Sequence, residues 1–168
     1  AKLVEIDKSA KETELTLSRI MLHNTKDEVR FHTEKDILPG KYRIEMTFKG
    51  KITRNMEGIY PCFFKDGKIE KQLIATQFES HHAREVFPCI DEPEAKATFK
   101  LTLRHAKNET ALSNTPVEKS INTETHLVTT FAQTPIMSTY LLAFVVGELS
   151  YKETKSKKNG VLIRTYAT

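Results

Sequence analysis

The sequence predicts an all-β domain built as an antiparallel multi-sheet sandwich, and three features carry that reading. Apolar and polar residues alternate with a period of two in one stretch after another, which sets one face toward a core and one toward water. Pairs of turn-forming residues, Pro39-Gly40, Asp66-Gly67 and Asn159-Gly160, separate these stretches. No long segment keeps the 3.6-residue period of an amphipathic helix, and short strands joined by turns make a sandwich or a related multi-sheet domain.

In chain order, Glu14 to Leu17 opens an alternation that continues through Ile20 and Leu22. Tyr42, Ile44, Met46 and Phe48 alternate with Arg43, Glu45, Thr47 and Lys49, with Pro39-Gly40 turning into this strand and Gly50 ending it. Asp66-Gly67, between Phe63-Phe64 and Ile69, reads as a tight hairpin, because Asp-Gly accepts the positive φ of a type I′ turn. Phe99, Leu101 and Leu103 alternate with Lys100, Thr102 and Arg104 in a further strand. Leu127 to Phe131, Tyr140 to Val146 and Val161 to Tyr166 complete the series. The middle one is apolar almost throughout, as a central strand covered on both faces is. Asn159-Gly160 reads as a second hairpin turn. At most one short helical turn is expected, over Ser80 to Val86, with Ser80 as its cap and Glu79 beside the positive end of its dipole.

The 168 residues suit one domain, so residues 1–168 are read as a single β domain. With 39% hydrophobic and 29% charged residues the composition is that of a water-soluble globular protein. The net charge of +4 comes from dispersed lysines, with one knot at Lys155, Lys157 and Lys158. No arginine-rich run or nucleic-acid motif accompanies it, so no nucleic-acid partner is expected. The longest apolar run, Tyr140 to Val146, is too short to span a bilayer, and no membrane partner is expected. Cys62 and Cys89 do not make a disulfide framework. As two reduced, buried thiols they point to a reducing, cytoplasmic setting.

Taken residue by residue, the chain shows no catalytic machinery. His81 and Glu85, and likewise His105 and Glu109, sit four apart, but one histidine and one carboxylate do not make a metal site. No H-E-x-x-H, glycine-rich phosphate loop or G-x-S-x-G occurs. What stands out is Thr76 to Leu103. It is dense in specific residue types: Glu79, a turn, Phe87-Pro88-Cys89, the corner Asp91-Glu92-Pro93 and an alternating strand.

That stretch, TQFESHHAREVFPCIDEPEAKATF, resembles the signature of the N-terminal domain of zinc aminopeptidases of the aminopeptidase N family. A second match, Thr134 to Gly147, is similar to the family's T-P-x-M-S-T-Y-L-x-A-F. A weaker third runs from Gly40-Lys41-Tyr42 through Phe48-Lys49-Gly50 to Gly58-Ile59-Tyr60. Together they span Asp36 to Thr168, in the family's order. The resemblance implies a saddle-like β domain that precedes a thermolysin-like catalytic domain carrying G-A-M-E-N and H-E-x-x-H. The family's opening strands are expected before Ala1 and the domain's end near Tyr166 to Thr168, so the chain is expected to be most of one domain. On this reading it holds no catalytic residue and no metal; the zinc belongs to the catalytic domain, and the chain alone is expected to be inactive.

The resemblance also implies a role. In the family the T-Q-x-E loop reaches the active-site cleft, where its Gln and Glu help bind the free amine of a peptide substrate. The matching positions are Gln77 and Glu79. Arg84, Pro88, Asp91, Glu92, Pro93 and Tyr140 are read as scaffold: Arg84 pairs with Asp91 or Glu92, and the two prolines stiffen the connection to the strand at Ala97. Met137 to Tyr140 is expected to pack against the catalytic domain. The expected partners are therefore the peptide N-terminus and the parent's own catalytic domain. His81-His82 stands where Thr-Asp is commoner, which leaves the local cap open, and Cys62-Phe63-Phe64 is unusual after Gly58-Ile59-Tyr60. The alternative reading is a non-catalytic β domain that binds a protein partner, from a relative that has lost its zinc residues.

Overall fold

Alternation of period two becomes strand pairing wherever a neighbour is available, and the chain forms fourteen strands, every pair antiparallel. The computed structural model describes residues 1–168, which divide into two units, Ala1–Lys49 and Gly50–Thr168. In the first unit β1 (Lys2–Ile6) lies between β2 (Glu12–Leu15) and β5 (Lys41–Glu45). As the central strand, β1 holds the buried Leu3 and Val4. Arg43 on β5 reaches Glu12 on β2 with both terminal guanidinium nitrogens. A separate hairpin pairs β3 (Leu17–His23) with β4 (Glu28–Thr33).

Two expectations change here. The alternation from Glu14 to Leu22 is not one strand: it breaks at Thr16, and its halves serve different sheets. The strand expected to run to Phe48 stops at Glu45, because its ladder with β1 ends at the Lys2–Glu45 pair.

The second unit carries three sheets. The largest has the order β6 (Gly58–Asp66), β7 (Ile69–Gln77), β12 (Phe144–Gly147), β9 (Thr110–Ser113). A second sheet orders β10 (Val117–Asn122), β11 (Leu127–Phe131) and β8 (Thr102–His105), and β13 (Ser150–Lys155) pairs with β14 (Leu162–Ala167). The Asp66-Gly67 hairpin forms with the two-residue loop Gly67-Lys68. Only Gly67 has positive φ (62°), the type II′ pattern rather than the expected type I′. Asn159-Gly160 closes a longer loop: Ser156 N–H donates to the Val161 carbonyl and Gly160 N–H to that of Ser156.

The stretch expected as one strand from Phe99 pairs irregularly before β8. Ala97 and Met137 form an isolated bridge, and the Thr134 hydroxyl, not a carbonyl, accepts from Phe99 N–H (2.9 Å). Tyr140 to Val146 is likewise not one strand. Its first half is a 3-10 turn, Thr139–Leu141, and only Phe144 onward pairs in the sheet. The helical turn expected over Ser80 to Val86 is a 3-10 turn at Ala83–Glu85, so the chain has two such turns, not one. No helix is long and apolar enough to cross a membrane.

The core of the second unit gathers where these irregular segments meet. Phe78, Ala83 and Leu142 are buried, with Val86, Phe87, Cys89, Phe99, Met137, Tyr140 and Phe144 packed against them. Phe78 meets Phe87 and Phe144 edge-on at 5.9 and 6.5 Å, and Phe87 meets Phe99 at 6.4 Å. Such pairs add to area burial because ring edges are electropositive and faces electronegative.

Both cysteines are free. Burial, reinforced by the Asp91 charge and eased by Arg84, pushes the Cys89 thiol up to about 11. At pH 8 about one Cys89 in a thousand is then thiolate, and thiolate is the reactive form. Iodoacetamide at pH 8 is expected to alkylate Cys89 far more slowly in the native chain than after denaturant is added. Equal rates of Cys89 labelling in the native and unfolded chain, read by peptide mass, would contradict this core.

Candidate functional site

Strand geometry decides which way the signature loop presents its side chains. Neighbouring residues at the end of β7 alternate sides, so Gln77 and Glu79 are exposed and Phe78, between them, is 1% exposed in the core. Phe78 is thus the anchor of the loop. Gln77 is paired with Gly58 at the start of β6. Gly58 has φ +64°, and a Cβ there would stand 3.1 Å from Glu85 Oε2. One residue back, the Thr76 hydroxyl accepts from Phe144 N–H (2.9 Å) and donates to the Phe144 carbonyl (3.2 Å), tying β7 to β12. Gln77 Oε1 accepts from the Glu79 N–H (3.0 Å), so one signature residue orients the next. The Glu79–Ser80 peptide is cis. The Glu79 carboxylate has no hydrogen bond or ion pair within the chain.

Behind this tip lies a polar brace centred on Asp91, whose side chain is 2% exposed. Arg84 donates to Asp91 Oδ2 from its backbone N–H (3.1 Å) and from Nε (3.2 Å), and to the Asp91 carbonyl from Nη2 (2.8 Å). Thr139 Oγ1 donates to Asp91 Oδ1 (2.6 Å), and Ser138 Oγ to the Pro93 carbonyl (2.6 Å). Asp91 therefore ties the first 3-10 turn to the second. Glu92 is the outer partner of Arg84, at 3.9 Å and largely exposed. Burial alone would raise the Asp91 pKa. The bonds from Thr139 and from the Arg84 backbone and side chain outweigh it and hold the carboxyl below its ordinary value.

Met137 to Tyr140, expected against the catalytic domain, has partners inside the unit as well. Ser138 and Thr139 are 4% exposed and bonded within the unit, Met137 pairs with Ala97, and Tyr140 packs on the core. Pro88 is exposed in the step before Cys89, and Pro93 supplies the carbonyl that Ser138 binds. Ser80 does not cap the first turn. Its hydroxyl lies 2.8 Å from His81 Nδ1, and His82 holds the N-cap position without a side-chain cap bond.

Neither histidine–carboxylate spacing makes a metal site, and nowhere do three or more His, Cys, Asp or Glu side chains group to hold an ion. Glu85 pairs with His82, not His81. His105 is buried, its Nδ1 donating to the Ala106 carbonyl and its Nε2 accepting from Thr129, while Glu109 caps Ala106 N–H. Phe78 and the hydroxyls of Ser138 and Thr139 escaped the sequence reading. The signal for Phe78 was there, as the apolar residue between two polar ones at a strand end; the hydroxyls gave none.

The model of the peptidase M1 N-terminal domain matches residues 1–141. The chain belongs to that family. It is similar to aminopeptidase N of Lactococcus lactis subsp. lactis, 46% identical over 172 residues, covering 95% of this chain and 20% of the relative. The Lactobacillus helveticus aminopeptidase N is 48% identical over 133 residues, 77% of this chain and 15% of the relative. The human aminopeptidase N is 42% identical over 134 residues, 76% of this chain and 13% of the relative. The chain thus spans a fifth or less of the length of these relatives.

Asp91 yields a signed expectation. Its folded pKa is depressed, so its stabilisation is present above the unfolded aspartate value, about 3.9, and is lost as pH falls through the folded one. Asp91→Asn is expected to lower unfolding free energy by about 2–3 kcal/mol at pH 7, the worth of one charge-assisted hydrogen bond set. The gap to wild type should narrow below about pH 4. Urea titrations of both proteins at pH 7 and pH 3 check this; a gap that does not depend on pH would refute the charged brace.

Proposed function

We propose that the chain is the N-terminal part of a zinc-dependent aminopeptidase, in which Gln77 and Glu79 help bind the free amine of the peptide substrate. The observation that carries this reading is the Glu79 carboxylate, exposed and unpaired within the chain on a backbone held by the buried Phe78 and the Asp91 brace. A terminal ammonium needs an acceptor with full charge and open lone pairs, and Glu79 offers both. Gln77 has the secondary part. Its Oε1 is engaged by the Glu79 N–H, so it orients the Glu79 backbone and keeps its amide NH₂ to donate to a substrate carbonyl.

An anchored amine also sets the distance from the terminus to the bond that is cut, which makes the reaction an exopeptidase one. These residues do not fit zinc, since no ligand group exists among them. The zinc that the family implies, and its hydrolytic chemistry, are assigned to the rest of the protein. Ile90, Ile136 and Leu141, exposed at 73%, 71% and 49% and adjacent in sequence to Asp91, Met137 and Leu142, are assigned to contact with that remainder.

In the full-length protein, Glu79→Ala is expected to lower kcat/KM for substrates with a free α-amine about ten- to 150-fold, the equivalent of about 1.5–3 kcal/mol. Bound zinc, measured by elemental analysis, should stay constant. Unchanged kinetics would show that Glu79 does not bind the amine.

A further inference from the structure

His82 closes the turn that carries Glu79. Its backbone N–H donates to the Phe78 carbonyl (3.0 Å), and the inner residues of the turn are Glu79, Ser80 and His81. Its imidazole, 15% exposed, stands between carboxylates from two different segments. Nδ1 lies 2.8 Å from Glu85 Oε1, and Nε2 lies 3.9 Å from Glu57 Oε1. His81 stacks on its face with centroids 4.7 Å apart. Glu57 directly precedes Gly58, the strand partner of Gln77. His82 therefore touches both segments that leave this end of the β6–β7 hairpin.

A carboxylate only accepts, so Nδ1 carries the hydrogen of the neutral ring. Nε2 then turns a lone pair toward Glu57 across a gap too long for a hydrogen bond. A proton taken up from solvent at Nε2 converts that gap into an ion pair. The titratable groups that face the ring are Glu57, Glu85 and His81. Arg84, next along the turn, directs its guanidinium to Asp91 and Glu92.

We propose that His82 is a positioning residue for Glu79, clamping the tip through Glu85 and drawing Glu57 onto it when Nε2 is protonated. Its kinetic consequence rests on the reading of Glu79 as the amine anchor; the clamp itself can be measured apart from that reading. The closed form needs the proton on Nε2, so lower pH favours it and higher pH opens it.

The experiment uses the full-length protein as wild type, His82→Ala, His82→Asn, Glu57→Gln and Glu79→Ala. KM and kcat for an aminoacyl chromogenic substrate are measured from about pH 5.5 to 8.5, together with amide exchange at residues 78–82 corrected for the intrinsic rate. An asparagine amide reaches the place of Nδ1 and donates to Glu85 but has nothing at Nε2. His82→Ala is expected to raise KM about five- to tenfold with kcat little changed, and to speed exchange by a similar factor, the scale of one ordinary net hydrogen bond. His82→Asn restores both at the upper end of the pH range. The advantage of wild type over His82→Asn and Glu57→Gln grows as pH falls.

Equal exchange and equal KM in wild type and His82→Ala would overturn the clamp. So would a wild-type advantage that does not change with pH. A His82→Ala defect shared equally by KM, kcat and melting temperature, and not restored by His82→Asn, marks a folding role and also overturns it. If Glu79→Ala leaves KM unchanged while His82→Ala still frees residues 78–82, the clamp stands and only the anchor role falls.

Discussion

The carboxylate of Asp91 is the constraint on which this arrangement depends. It is almost fully buried, and a buried charge is tolerated only when partners satisfy it. Here the partners come from two directions: the backbone and guanidinium of Arg84, seven residues upstream, and the hydroxyl of Thr139, forty-eight residues downstream. Neither 3-10 turn is long enough to hold itself, since short pieces of helix make few internal bonds. Sharing one acceptor gives each a fixed position relative to the other. The aromatic cluster of Phe78, Phe87, Phe99 and Phe144 then fills the space that the brace frames.

A rigid base matters because the tip is small. Only one residue, Phe78, separates the two polar positions of the signature, and its burial decides which side of the strand they face. A shift of one residue in the β6–β7 register would turn Gln77 and Glu79 inward and Phe78 out. The nine-residue pairing of that hairpin resists the shift, and so does the double hydrogen bond between Thr76 and Phe144. The energy that holds the tip is therefore spread through the sheet and the aromatic core, away from the exposed groups it presents.

The strands were legible where alternation coincided with an available neighbour, as at Leu127–Phe131, which pairs over the whole expected range. They were illegible where pairing was governed by something other than pattern. The seven apolar residues from Tyr140 look like one strand, yet Ser138 and Thr139 just before them are held by Pro93 and Asp91, and that bends the first two into a turn. The turn at Asn159-Gly160 was read from its residues, but its loop length depends on the Ser156–Val161 pairing around it. Of the site, the ion pair of Arg84 with Asp91 could be named from spacing and charge. The choice of Asp91 over Glu92 as inner partner could not, because it depends on which carboxylate the tertiary core covers.

The same stretch thus holds carboxylates whose surroundings give them opposite capacities. Asp91 accepts from Arg84 and Thr139, and its lone pairs are engaged inside the fold, so it can hold structure but not capture a ligand. Glu79, twelve residues earlier, has the same acceptor chemistry and nothing in the chain to engage it, with its backbone oriented by Gln77. A fixed backbone limits the ordering cost of binding to the Glu79 side chain itself. Replacing Glu79 by glutamine would keep its shape and remove its charge, so the two contributions can be separated: a neutral acceptor forms a weaker bond to an ammonium than a charged one. Physical asymmetry between two acidic residues, rather than the count of acidic residues in the signature, is what distinguishes the exposed tip from its support.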